Sequence, residues 1–190
     1  MISLLWELHP TRILYDASAG VVVLALHGLF LALAAKWLGD RGPSYDGRLT
    51  ADPSVHIDIY ALVGVVVTGF GWVKPMDIRP NDIKGRLFGI AAAALFAIAA
   101  TFALGRLAMA NRGTLIAITP PDLLQFAEAW LFSFTRLSDR IAGFNLLPLF
   151  ALTAAHIVQP YLPARLRLPT TSLSALTLAL AFAIKLWVWR

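Results

Sequence analysis

Residues 17–38 read A-S-A-G-V-V-V-L-A-L-H-G-L-F-L-A-L-A-A-K-W-L, an apolar run broken in the middle by one histidine, His27. About 20 apolar residues rising 1.5 Å each cross a hydrocarbon core, so this stretch is a membrane helix. An ionisable side chain at mid-depth is costly there and faces protein rather than lipid. His27 is therefore a candidate functional residue, and the alternative is a packing histidine hydrogen-bonded to a neighbouring helix.

The rest of the chain fits a membrane setting. Of 190 residues 58% are hydrophobic and 14% charged, against about 25% charged in soluble domains. The fold class expected is an all-α polytopic membrane protein forming one domain over residues 1–190. The net charge of +5 comes from cations scattered between apolar stretches, which places them at lipid headgroups and speaks against nucleic acid as a partner. Cysteine is absent, so disulfides, thiolate metal ligands and a cysteine nucleophile are excluded. Residues 1–16 carry Trp6 but lack a continuous apolar core; they are expected to form an interfacial N-terminal segment and not a cleavable leader.

In chain order, the first helix ends at Gly39-Asp40, glycine being the usual residue after a last helical turn. Residues 41–58 read as a structured loop with a short strand at 48–50. Residues 59–73 either cross the membrane or dip in and lean on the first helix. Residues 74–86, with two prolines and alternating charge, suit an extended interfacial loop. The clearest further span is 87–105, rich in small residues that permit close helix packing. A helix is expected over 115–134, with Asp122, Gln125 and Glu128 on one face, then a polar turn at 136–140. A membrane segment follows at 141–158, in which Asn145 satisfies backbone groups freed by Pro148. A loop with Arg165 and Arg167 leads to a last apolar helix over 170–189, whose Lys185, Trp187 and Trp189 suit an interface anchor. That makes five or six transmembrane helices, with the cations divided nearly evenly between the two sides if all six cross.

Four stretches carry a resemblance. They are L-A-L-H-G-L-F-L-A-L-A-A-K-W-L-G-D at 24–40, G-R-L-T-A-D-P-S-V-H-I-D at 47–58, G-W-V-K-P-M-D-I-R-P-N-D at 71–82 and N-L-L-P-L-F-A-L-T-A-A-H at 145–156. In this order they resemble the site-2 protease family of intramembrane zinc metallopeptidases, in particular its small bacterial branch. The resemblance implies a site-2-protease-like core, with residues 141–158 as the helix similar to the family's L-D-G helix. It also implies a multi-pass protein of the bacterial inner (cytoplasmic) membrane.

In that family H-E-x-x-H sets two histidines and a glutamate base on one helix face, and the aspartate of L-D-G completes the zinc ligands. Here the corresponding positions are His27, Gly28, Leu31 and Thr153. Gly28 cannot take a proton from water, Leu31 has no lone pair and Thr153 is neutral, so two of three ligands and the base are gone. The expectation is a degenerate member with no catalytic residues, no metal and no cofactor. A weaker alternative is an improvised zinc site from His27, His56 and His156, with Asp58 at hand, supporting an active protease with a non-standard ligand set. The expected role is an accessory, scaffold or assembly subunit of a larger membrane complex, such as a respiratory or photosynthetic one. Its partners would be other membrane protein subunits and lipids. Candidate partner or lipid contacts are Trp72, Lys74, Pro75, Trp187 and Trp189, with the Asp122–Glu128 stripe and the small-residue face of 87–105. Asp58, Asp77 and Asp82 read as solvated loop carboxylates.

Overall fold

A computed structural model of the chain describes residues 9–163 and 168–188. Trp6, Arg165, Arg167 and Trp189 lie outside the described residues. The described elements are helices and short 3-10 turns, with no strand among them. The helices are α1 (Pro10–Trp37), the one-turn α2 (Gly42–Tyr45) and α3 (Pro53–His56), α4 (Ile59–Thr68), α5 (Leu87–Ala110), the short α6 (Arg112–Ala117), α7 (Leu124–Asn145) and α8 (Thr170–Val188). Three are long and apolar enough to cross a membrane, namely α1, α5 and α8.

α1, α5 and α7 form the core. α5 runs antiparallel to α1, so Trp37 meets Phe96 edge-on at 5.8 Å while His27 reaches Thr101. α7 packs along both, with Ser138 against Gly105 and the Trp130 indole N–H on Ser18 Oγ at 3.1 Å. The small residues of α5 are spent inside this bundle: Ala93, Ala97 and Gly105 are buried. The expected small-residue docking face is thus an internal seam, and Phe88, Leu95, Phe96 and Phe102 point outward instead.

Residues 59–73 do not form a span. α4 has ten residues, rising about 15 Å, half of a hydrocarbon core. It ends at Gly69, whose left-handed backbone (φ 76°) lets its N–H bond Val65 O at 2.9 Å. From there residues 70–86 turn back along the core, and the Lys84 N–H bonds Leu38 O at the far end of α1. α4 leans on α1 with Val65 against Gly20, and the chain then runs back toward the C-terminal end of α1. The returning segment is irregular over 70–79 and folds into turns over 80–86, so it is not extended throughout as expected, nor interfacial throughout: Trp72, Val73, Met76, Ile78 and Ile83 are buried. Its outer end is tied by the buried Asp40, which accepts from the N–H groups of Gly42 (2.8 Å) and Arg79 (3.0 Å).

Three further expectations are corrected. Residues 48–50 form no strand, with bends at 49 and 50. The helix expected over 115–134 breaks at the Pro120-Pro121 pair, and α7 then runs unbroken from Leu124 through the supposed polar turn at 136–140. It can do so because those charges are paired. Arg136 reaches the buried Asp16 of α1, which also meets Arg12 at 3.7 Å, and Asp139 pairs with Arg106. A buried carboxylate in a membrane helix needs such partners. Residues 141–158 are not one helix: α7 stops at Asn145, Pro148 lies in an irregular stretch, and only a 3-10 turn, Thr153–Ile157, follows.

α8 lies beside α4. Ser174 Oγ donates to Asp58 Oδ2 at 2.5 Å, and the Lys185 ammonium donates to Val67 O at 2.5 Å, where a cation suits the carbonyl end of α4. Asp58 is therefore no free loop carboxylate, its other oxygen capping α4 through the Ala61 N–H. Asp77 and Asp82 are exposed beside Arg79. Lys185 is buried and faces α4 instead of the headgroups, while Trp187 is 77% exposed.

Candidate functional site

α1 brings His27, Gly28 and Leu31 to the centre of the bundle, where each is fully buried or nearly so. Thr101 faces them from α5, Thr153 from the 3-10 turn and His56 from α3. The Thr101 hydroxyl donates to Ala97 O at 2.8 Å, as threonines in helices do, so its oxygen is free to accept from His27 Nδ1–H at 2.8 Å. In that neutral tautomer Nε2 is an acceptor, and it lies 2.7 Å from Thr153 Oγ1. Both ring nitrogens of His27 are engaged.

Asn145 holds Thr153 in place. Its Oδ1 accepts from the Thr153 N–H at 3.0 Å and stands 3.0 Å from Thr153 Oγ1, while its Nδ2 donates to Gly71 O and Ile141 O, both at 2.8 Å. One carboxamide thus joins the end of α7, the returning segment and the 3-10 turn. Asn145 does not serve Pro148, the role its sequence position suggested. Pro148 lies in an irregular stretch, so no continuous helix needs repair there.

His56 fills the space beside Gly28. A Cβ on Gly28 would stand 2.3 Å from His56 Nδ1 and 2.6 Å from its Cγ. The ring is held by Nε2–H donating to Thr50 O at 2.7 Å, which leaves Nδ1 as a buried nitrogen without a hydrogen-bond partner. Burial, helped by Arg48 and Lys74, pushes the His56 imidazole below its ordinary range, against the opposing effects of the Thr50 bond and Asp52. The folded chain therefore keeps His56 neutral while the unfolded chain protonates. Its contribution is complete above about pH 6.5 and is lost as the pH falls below that. The thermal midpoint is expected to drop between about pH 7.5 and 5.5, and to drop less in His56→Gln.

His156 does not turn toward His27. Its Nδ1–H donates to Thr153 O at 2.9 Å and its Nε2 accepts the Met76 N–H at 3.2 Å, so it pins the returning segment. Of the expected contact residues, Trp72 is fully buried, its indole N–H 3.4 Å from Ser174 Oγ. An aromatic ring so enclosed is a core residue and not an interface one. Lys74 is tied by its ammonium to Ser54 O at 2.8 Å, and Pro75 O accepts from Arg48 at 3.5 Å.

The residues present do not fit the zinc that the family resemblance implies. Two ligands about 2.0–2.2 Å from a tetrahedral zinc stand about 3.4 Å apart, whereas His27 Nε2 and Thr153 Oγ1 are in direct hydrogen-bond contact at 2.7 Å. Among the described residues no three His, Cys, Asp or Glu side chains gather closely enough to hold a metal ion. His27, His56 and His156 share a neighbourhood but not a coordination centre.

Thr101 is the residue whose role the sequence least reveals, since a threonine in a small-residue helix reads as packing. Asn145 carried a signal, a carboxamide in an apolar run, but its partners are set by tertiary contacts.

No family model matches the chain, and no solved structure does. Among curated proteins it is 30% identical over 158 residues to "Putative zinc metalloprotease YwhC" of Bacillus subtilis (strain 168), over 80% of this chain and 70% of that protein. With a likeness of that extent, the chain belongs to the site-2-protease-like family of YwhC.

Proposed function

We propose that this membrane protein is a catalytically inactive site-2-protease-like protein that works by binding, as an accessory, scaffold or assembly subunit of a larger membrane protein complex. The observation that carries the reading is the hydrogen bond between His27 Nε2 and Thr153 Oγ1 at 2.7 Å, which occupies the nitrogen a metal would use. Peptide hydrolysis at such a site needs an activated water and a base to take its proton. Gly28 has no side chain to supply the base, and the His56 ring takes up the space where one would project. What the family scaffold retains is a rigid bundle with outward apolar faces. On α5 these include Phe96 and Phe102, and on α8 they include Leu186 and Trp187, the kinds of residue that meet other membrane helices or lipid.

The test is elemental analysis of the protein purified in mild detergent from its native membrane, with co-purifying chains identified in the same sample. Zinc well below one per chain together with partners in fixed stoichiometry is the expected result. One zinc per chain, with cleavage of a membrane substrate that is lost in His27→Ala, would overturn the reading in favour of an active metallopeptidase with a non-standard ligand set.

A further inference from the structure

A cavity of about 630 Å³ opens between the returning segment, the irregular stretch after α7 and the head of α8. That volume is within the roughly 300–1,000 Å³ of small-molecule sites. Its walls are mostly apolar, with Ile78, Phe150, Ala155, Leu162 and Leu173 among them. Three lining residues, Pro75, Pro80 and Pro148, have no backbone N–H to offer. His156 also lines it, but both its ring nitrogens are already bonded within the protein. Of the remaining polar side chains, Asp77 stands exposed beside Arg79, Thr170 is exposed and Gln159 is half-buried, so the charge lies at the rim and one carboxamide joins the wall.

A peptide or a polar metabolite would have to leave its own donors and acceptors unpaired against such walls, at substantial cost. A hydrocarbon chain has none to lose. The rim continues outward over exposed apolar side chains, Val158 and Leu168 at the mouth and Leu146 and Leu149 beside it, a path that a lipid tail can follow from the bilayer. The wall is also strained at one place: Phe150 has φ 52°, a conformation that a bulky side chain rarely adopts and that clusters at ligand clamps.

We propose that the cavity between residues 75–80, the 148–162 stretch and the first turn of α8 holds one hydrocarbon chain of a membrane lipid. The inference is independent of whether the chain is a peptidase, since none of His27, Gly28 or Thr153 lines the cavity.

The full chain in phosphatidylcholine vesicles, doped with a phosphatidylcholine that carries a diazirine on its acyl chain, provides the test after photolysis and peptide mapping. Labelling of Met76, Ile78 or Leu173 is expected to exceed labelling of the outward α5 residues Phe96 and Phe102 severalfold. Val158→Trp at the exposed mouth and Ala155→Leu in the wall should each cut cavity labelling about fivefold while α5 labelling stays constant. Val158→Trp serves if Ala155→Leu fails to fold. A parallel run with diazirine-bearing palmitate assigns the source: a phospholipid if only the first probe labels the cavity, a free acid also if both do. Cavity labelling no greater than that of α5, labelling unchanged in both variants, or a co-purified polypeptide crosslinked into the cavity in place of lipid would each overturn the proposal.

Discussion

Asn145→Leu is expected to destabilise the bundle by about 4 kcal/mol, the largest loss from any single side chain near the centre. Leucine keeps the branched shape but withdraws the donors to Gly71 O and Ile141 O and the acceptor for the Thr153 N–H. Each buried group left unpaired costs about 1–3 kcal/mol. Single side-chain hydrogen bonds in membrane proteins are weaker, averaging about 0.6 kcal/mol, but here Gly71 O and the Thr153 N–H lose their partner together where little water can reach, while Ile141 O keeps only its helical bond. Thermal unfolding in mild detergent should show a fall of roughly 10 °C. Asn145→Asp should be nearly as damaging, because a carboxylate restores the acceptor and sets an anion against two carbonyls. Thr101→Val, which removes one bond to His27, should cost about 1 kcal/mol and is the control for a local effect. A loss below about 1 kcal/mol in Asn145→Leu would mean that the carboxamide does not hold the three segments together.

The contrast between Asn145 and its neighbours shows what the sequence makes legible. The span around His27 and the stop at Gly39 can be read directly, because each depends on local periodicity or on residue chemistry, whereas the roles of positions 28, 31 and 153 are only what the family resemblance implies. The path of residues 59–86 cannot. Its apolar run resembles a short span until Gly69 turns the chain back, and Trp72 reads as an interfacial aromatic although it ends fully buried. The same holds for α7, where the charges from Arg136 to Arg140 read as a turn. They continue a helix because Asp16 and Arg106, distant in sequence, neutralise two of them. His56 is the clearest case: its loop position invites a ligand role, and only the packing reveals a ring pressed against Gly28.

That packing gives the second large effect. Gly28→Glu, which places at position 28 the acidic residue that the family resemblance implies there, is expected to unfold the bundle, not to create a peptidase. The new Cβ alone would stand 2.3 Å from a His56 ring that Thr50 holds in place, and the carboxylate would then be buried with no cation beside it. Gly28→Ala isolates the steric part and should cost about 2 kcal/mol, within the usual range for overpacking. His56→Ala should cost a similar amount, about 2–3 kcal/mol, through the cavity it leaves and the lost bond to Thr50 O. In the double variant the methyl enters the vacated space, so the Gly28→Ala penalty should fall nearly to zero and the coupling energy should reach about 2 kcal/mol. Additive losses would mean that His56 does not fill the Gly28 slot in the folded protein. Coupling of the expected size would mean that position 28 accepts a side chain only where the His56 ring is absent. A glutamate at position 28 would then fit only once the His56 ring is removed.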